Sequence, residues 1–300
     1  MHLMIPYAST LDDAGLHALR QVQLPNLSAL LGLLGADDEI LGSDELAPRM
    51  PHELVLDSRP VSMQANSDTP RWAHLTPMHF FVSTDQVTAL DPELLQLTDQ
   101  ESQDFLEALA PLFDADEGWQ RQWQGALDWR IAHAQFQGLE RSNSASLDRV
   151  INRSLTPWMP QAPVLRRLLN EIQMSLHNHP LNLAREARGQ LPVNSVWVAD
   201  IAALANPPLP DLQCDARLRP AWRAGDWRAW AEAWQSLDEG PIRALHEAVL
   251  DGASTSALSL TLSGERFARR FTAQARSPVQ RLWHRFKAPK AKVHAVLEAL

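Results

Sequence analysis

The feature that most constrains this chain is the recurrence of apolar runs of strand length, separated by stretches with helical periodicity. "HLMIPY" at 2–7, "HLTPMHFFVS" at 74–83 and "VNSVWVAD" at 193–200 each suit a buried strand. Between them, residues 164–176 place Leu165, Leu168, Leu169, Ile172 and Leu176 on one side of a helix. Thr98 and Glu101 have capping-box spacing ahead of an apolar face at Phe105, Leu106, Leu109 and Leu112. Strands alternating with helices of this length imply an α/β fold class.

Local signals add detail. Ser9 or Thr10, followed by Asp12 or Asp13, is expected to cap a first helix. In "LPNLSALLGLLG", Asn26 is expected to start a second helix and Gly35 to end it. Residues 36–70 carry many Pro, Asp and Ser with little periodicity and read as loop. A short run "LQCDARL" precedes a helix whose Trp227, Trp230 and Trp234 share one face, and "ALSLTLSGERFARRF" alternates with period two around a turn at Ser263-Gly264. The tryptophan spacing reads as a core stripe, although aromatic platforms also stack bases or sugars.

Composition narrows the partners. The net charge is −9, which argues against a surface devoted to nucleic acid. All three lysines, Lys287, Lys290 and Lys292, lie near the C-terminus beside Arg281 and Arg285, where they are expected to give at most weak, salt-dependent nucleic-acid binding. With a single cysteine, Cys214, no intramolecular disulfide forms, and a reducing, cytoplasmic setting is expected. No apolar stretch approaches the roughly 20 residues of a membrane span, so no membrane partner is expected.

The densest chemistry lies in "LHNHPLNLAREARGQLPVNSVWV" at 176–198. Arg185 and Arg188, three apart on a helix, offer guanidinium groups on adjoining surface for a phosphate or carboxylate. His177, His179 and Asn182 are candidate further donors, with His79 and Asn194 as accessory residues. A local structural reading stands beside this one. Asn182 and Asn194 brace turns, Gly189 ends the helix, and the arginines pair with Glu186 or other acidic neighbours. His177 and His179 are also spaced like metal ligands, but a structural site needs two more and no cysteine pair exists. Cys214, alone in a strand-like run, reads as a small core residue rather than a nucleophile. No Gly-rich phosphate or dinucleotide loop occurs, and no cofactor is expected.

Several segments resemble known families. "LPNLSALL" at 24–31 is similar to an element after the first strand in the alkaline-phosphatase superfamily, and "HPLNLAREARGQLPVNSVWV" resembles one before a core strand in archaeal-type cofactor-independent phosphoglycerate mutases. "MPHE" at 50–53, "WAHLTPMHF" at 72–80, "DPELLQL" at 91–97, "NEIQMSLHNHPLN" at 170–182 and "RLWHRF" at 281–286 resemble the RpfE-type bacterial regulatory proteins. The resemblance implies an alkaline-phosphatase-like core sheet flanked by helices, in a single α/β unit over 1–300 with an inserted α+β segment at 71–160. The superfamily's chemistry uses two divalent metals about 4 Å apart, the first held by an Asp just after strand one. Here that position reads Tyr7-Ala8-Ser9, and residues 199–300 contain no Asp-His, Gly-His or Asp-x-x-x-His. Asp13-x-x-x-His17 exists, but Asp13 suits a helix N-terminal charge. The expectation is a regulatory or anion-binding protein with neither catalytic nor metal-ligating residues, its ligand a small phosphorylated or carboxylate molecule. The alternative is a metal-dependent phosphoglycerate mutase or phosphatase with rearranged ligands.

Overall fold

In the computed structural model, residues 1–57, 70–202, 211–251, 258–273 and 291–300 are described. The chain forms two units, one of Met1–Arg59 with Pro207–Leu300 and the other of Pro60–Asn206.

The first unit begins with β1 (His2–Ile5), α1 (Asp13–Gln21), α2 (Pro25–Leu33), β2 (Leu34–Gly42) and α3 (Pro51–Asp57). The second carries β3 (Trp72–Met78), the hairpin β4 (Phe80–Val82) and β5 (Val87–Ala89), α4 (Asp99–Ala108), β6 (Gln120–Gly125) and β7 (Asp128–Ala132). It continues with the short α5 (Leu147–Val150), α6 (Pro163–Leu176), α7 (Pro180–Ala187) and β8 (Ser195–Ala202). The chain then returns to the first unit with β9 (Leu212–Cys214), α8 (Arg219–Ala224), α9 (Trp227–Leu237), α10 (Arg243–Asp251), β10 (Ser259–Ser263), β11 (Phe267–Ala273) and α11 (Val293–Glu298).

The first unit is a mixed α/β layer structure. Its sheet has the order β2-β11-β10-β1-β9, with β1 parallel to β10 and β9, and β11 antiparallel to β10 and β2. Leu3, Met4 and Ile5 are all fully buried. Because successive side chains point to opposite faces, β1 is covered on both sides, as parallel strands are. Trp230 and Trp234 sit in this core with no exposed surface, so the stripe on α9 is packing.

The second unit has a four-stranded antiparallel sheet, β6-β7-β3-β8. One face, through Ala73, Leu75, Trp129, Ile131, Val196 and Val198, packs with the apolar sides of α4 and α6. On the alternate positions of β8, Trp197 and Ala199 pack with Met78, Val150 and Leu155. The expected segment 71–160 lies inside this unit, which runs on to 206. Its β8 pairs with β3, and α6 fills the same core.

Some local expectations are corrected. Asp12, not Ser9 or Thr10, caps α1 by accepting from the Gly15 amide, while Thr10 turns to Glu265. Asp13 does open α1. In α2 the helix starts at Pro25, one residue before Asn26, and stops at Leu33, leaving Gly35 inside β2. The stretch read as loop contains β2 and α3. "LGADDEILG" lacks strand periodicity and becomes a strand by pairing with β11. Cys214 is exposed because β9 is a three-residue edge strand.

Candidate functional site

The 176–198 stretch lies wholly in the second unit. α6 ends at Leu176, and Asn178 takes φ +55°, a left-handed conformation that asparagine tolerates. His179 then caps α7, its Nδ1 accepting from the Leu181 amide at 3.3 Å, with Pro180 at the first helical position. At the other end Gly189, at φ +71°, turns the chain out of α7, and the Gln190 amide returns to the Arg185 carbonyl.

Asn182, 4% exposed, ties this turn together. Its Nδ2 donates to the Leu176 and Val193 carbonyls at 3.0 and 2.8 Å, and its Oδ1 accepts from the Val193 amide at 2.8 Å. Asn194 does the same for the start of the β4 hairpin, accepting from the Phe80 amide at 2.7 Å and donating to its carbonyl at 2.9 Å. His79 donates through Nδ1 to the Pro192 carbonyl at 2.9 Å. Asn182, Asn194 and His79 thus supply partners to backbone groups around the end of α6, the turn after α7 and the start of β4. His177 is exposed and contacts Asn178 at 3.2 Å.

The two arginines converge on one carboxylate. Arg185 is 1% exposed, and its guanidinium is anchored by Nε on the Leu191 carbonyl at 2.9 Å and by Nη2 on the Leu95 carbonyl. Its Nη1 stands 3.2 Å from Glu101 Oε2. Arg188 places Nη2 at 2.5 Å from Glu101 Oε1 and Nε at 2.9 Å from Gln190 Oε1. Of the two readings the sequence left open, the arginines follow the paired one, and the acidic neighbour that holds both is Glu101 rather than Glu186. Burial lowers the Arg185 pKa, Glu101 opposes that shift and Arg188 adds to it; the group stays charged at any accessible pH. In the sequence Glu101 is legible only through its capping-box spacing, and that box forms at Thr98. Its second role needs a chain separation of 87 residues to close, and no local signal announces that.

The end of β1 in the first unit is the other place of interest, since ligands of open α/β sheets gather at the carboxyl ends of parallel strands. Tyr7 sits there with φ +59° and 3% exposure. Its ring lies 4.9 Å from His52 and 5.2 Å from Trp222, its hydroxyl is 3.4 Å from His52 Nε2, and its carbonyl accepts from Trp230 Nε1 at 3.1 Å. His52 belongs to "MPHE", in which Glu53 also accepts from the Met50 amide and faces Arg49 at 3.3 Å. Just beyond, Glu265, 1% exposed, accepts from Thr10 Oγ1 and the Leu11 amide at 3.0 Å each. Nothing local in "MPHE" announces its place in the fold. The fold brings it against strand one.

Among the described residues, no three His, Cys, Asp or Glu side chains gather closely enough to hold a metal ion. At the end of β1 the side chain that follows the strand is Tyr7, its ring packed against those of His52 and Trp222. Desolvation and the neighbouring Asp215 push the Cys214 thiol up, away from thiolate chemistry. "RLWHRF" and the basic positions 281–290 lie outside the described residues.

No family model and no curated protein matches this sequence. Several solved structures are similar to the chain, two of them as follows. One is a cofactor-independent phosphoglycerate mutase from Thermoplasma acidophilum DSM 1728, 12% identical, covering 92% of this chain and 91% of its own, with a TM-score of 0.34. The other is the PH0037 protein from Pyrococcus horikoshii, 10% identical, covering 98% of this chain and 91% of its own, with a TM-score of 0.45. No helix among the described residues is long and apolar enough to cross a membrane.

Proposed function

We propose that this chain is a non-catalytic relative of the metal-dependent phosphoglycerate mutases, built on an alkaline-phosphatase-like core, and that it acts as a cytoplasmic regulatory protein that binds a small anion. The observation that carries this reading is Tyr7. Two-metal phosphoryl transfer needs carboxylate oxygens to balance the cations and to hold them near the nucleophile. A phenol titrates near pH 10 and is neutral when buried. Here the ring is packed between His52 and Trp222, where a hydrated divalent ion would lose its shell without gaining charge compensation. Glu265, the buried carboxylate nearby in sequence to β10, is engaged by Thr10 and the Leu11 amide.

The reading is tested by assaying interconversion of phosphoglycerates with Mn²⁺ or Mg²⁺ in excess, alongside elemental analysis of the purified protein. The expected result is no turnover and no stoichiometric metal. Turnover that disappears on chelation overturns the reading in favour of a mutase or phosphatase with rearranged ligands.

A further inference from the structure

We propose that Arg185, Arg188 and the first turn of α4 form an anion site that Glu101 fills from within the chain, and that a compact dianion of the phosphate-monoester class displaces it. Each oxygen of the Glu101 carboxylate meets a different guanidinium, Oε2 with Arg185 Nη1 at 3.2 Å and Oε1 with Arg188 Nη2 at 2.5 Å. Oε2 also lies 3.3 Å from the Thr98 amide and 3.4 Å from its hydroxyl. Two oxygens of a phosphate group can address the same donors.

Three features separate this cluster from an ordinary ion pair. Arg185 is 1% exposed and pinned through Nε and Nη2 to backbone carbonyls, so Nη1 is aimed before any ligand arrives. Nη1 makes no well-aligned hydrogen bond among the described residues, although Glu101 is near. The charges do not close, since two guanidinium groups and a helix N-terminus worth about half a positive charge face one carboxylate. Exposed Asp99 in the same turn and Glu186 on α7 make no ion pair with either arginine among the described residues. A phosphate monoester, with roughly −1.5 to −2 charges at neutral pH, balances the site better than Glu101 does. Access is built in. Arg188 is 52% exposed and Glu101 24%, so the carboxylate can swing out while Arg185 stays in place.

The inference rests on the reading that the chain binds rather than turns over, but its test measures no turnover, so each can fail alone. Inorganic phosphate and glycerol 3-phosphate are titrated calorimetrically into the full chain. A tethered carboxylate competes at an effective concentration of order millimolar, so the parent protein is expected to bind weakly. Glu101→Gln keeps the capping box, removes the competing charge, and is expected to tighten binding by about tenfold or more. Adding Arg188→Ala to that variant is expected to abolish the gain. Unchanged affinity in folded Glu101→Gln, or full affinity without Arg188, overturns the proposal. Should Glu101→Gln fail to fold, the parent chain decides. Saturating phosphate is expected to shift the Glu101 side-chain carboxyl carbon resonance, and a resonance that does not move overturns the displacement.

Discussion

Replacing Asn182 by alanine tests whether the polar stretch ahead of β8 is a structural brace. The side chain makes three hydrogen bonds, to the Leu176 carbonyl, the Val193 carbonyl and the Val193 amide, at 2.8 to 3.0 Å and 4% exposure. Each is worth about 1 kcal/mol net, and alanine leaves all three backbone groups without that partner. The expected loss is about 3 kcal/mol, which lowers the melting temperature of a unit of this size by about 6–12 °C. Urea unfolding followed by tryptophan fluorescence measures the loss, and amide exchange at Val193 localises it. His177→Ala is the control, since this exposed ring contacts only Asn178 among the described residues and should stay within about 0.5 kcal/mol of the parent. Asn182→Asp is expected to be worse than alanine at neutral pH, because a carboxylate would face two carbonyl oxygens. That folded-state pKa is raised, so the penalty shrinks as pH falls toward about 4. A loss under about 1 kcal/mol for Asn182→Ala, with Val193 still protected, would refute the brace.

Two further outcomes concern the buried Asp238 and the half-buried His246 of the first unit. Asp238, 1% exposed, accepts from the Asn26 amide, Asn26 Nδ2 and the Leu27 amide at 3.1, 3.0 and 2.7 Å, capping α2, which has no side-chain cap of its own. Asp238→Ala is expected to cost about 2–4 kcal/mol in chemical denaturation, and a change under 1 kcal/mol would count against the cap. Burial lowers the His246 pKa, against the opposing pull of Glu247 and Asp238. A depressed folded-state pKa favours the neutral ring, so its stabilisation is present above the unfolded value near 6.5 and is lost as pH falls below it. His246→Asn should flatten the stability profile between about pH 6.5 and 5, and an unchanged slope would show that another group titrates there.

What the sequence by itself determined is what short-range chemistry controls. The apolar stripe of α6 is buried at all five positions read from its spacing. The capping box at Thr98 and Glu101 forms, and β10 and β11 pair around Gly264 as their alternation requires. The buried runs of β1, β3 and β8 become strands, which was enough for the α/β class. These signals are local because helix periodicity, capping and period-two alternation act over a few residues.

Tertiary structure decided the rest. β2 exists through its pairing with β11, since its own residues carry no strand pattern. The cap of α2 comes from Asp238, more than two hundred residues away, in a kinked turn around Gly240 and Pro241. "MPHE" acquires meaning only when His52 meets Tyr7. The fate of Arg185 and Arg188 is the sharpest case. Their helical spacing was legible, but whether they stood free or paired depended on α4 delivering Glu101 to them, and the sequence neighbour Glu186 was not the partner. An ion pair is set by distance in space, and only the packing of the second unit brings those charges together.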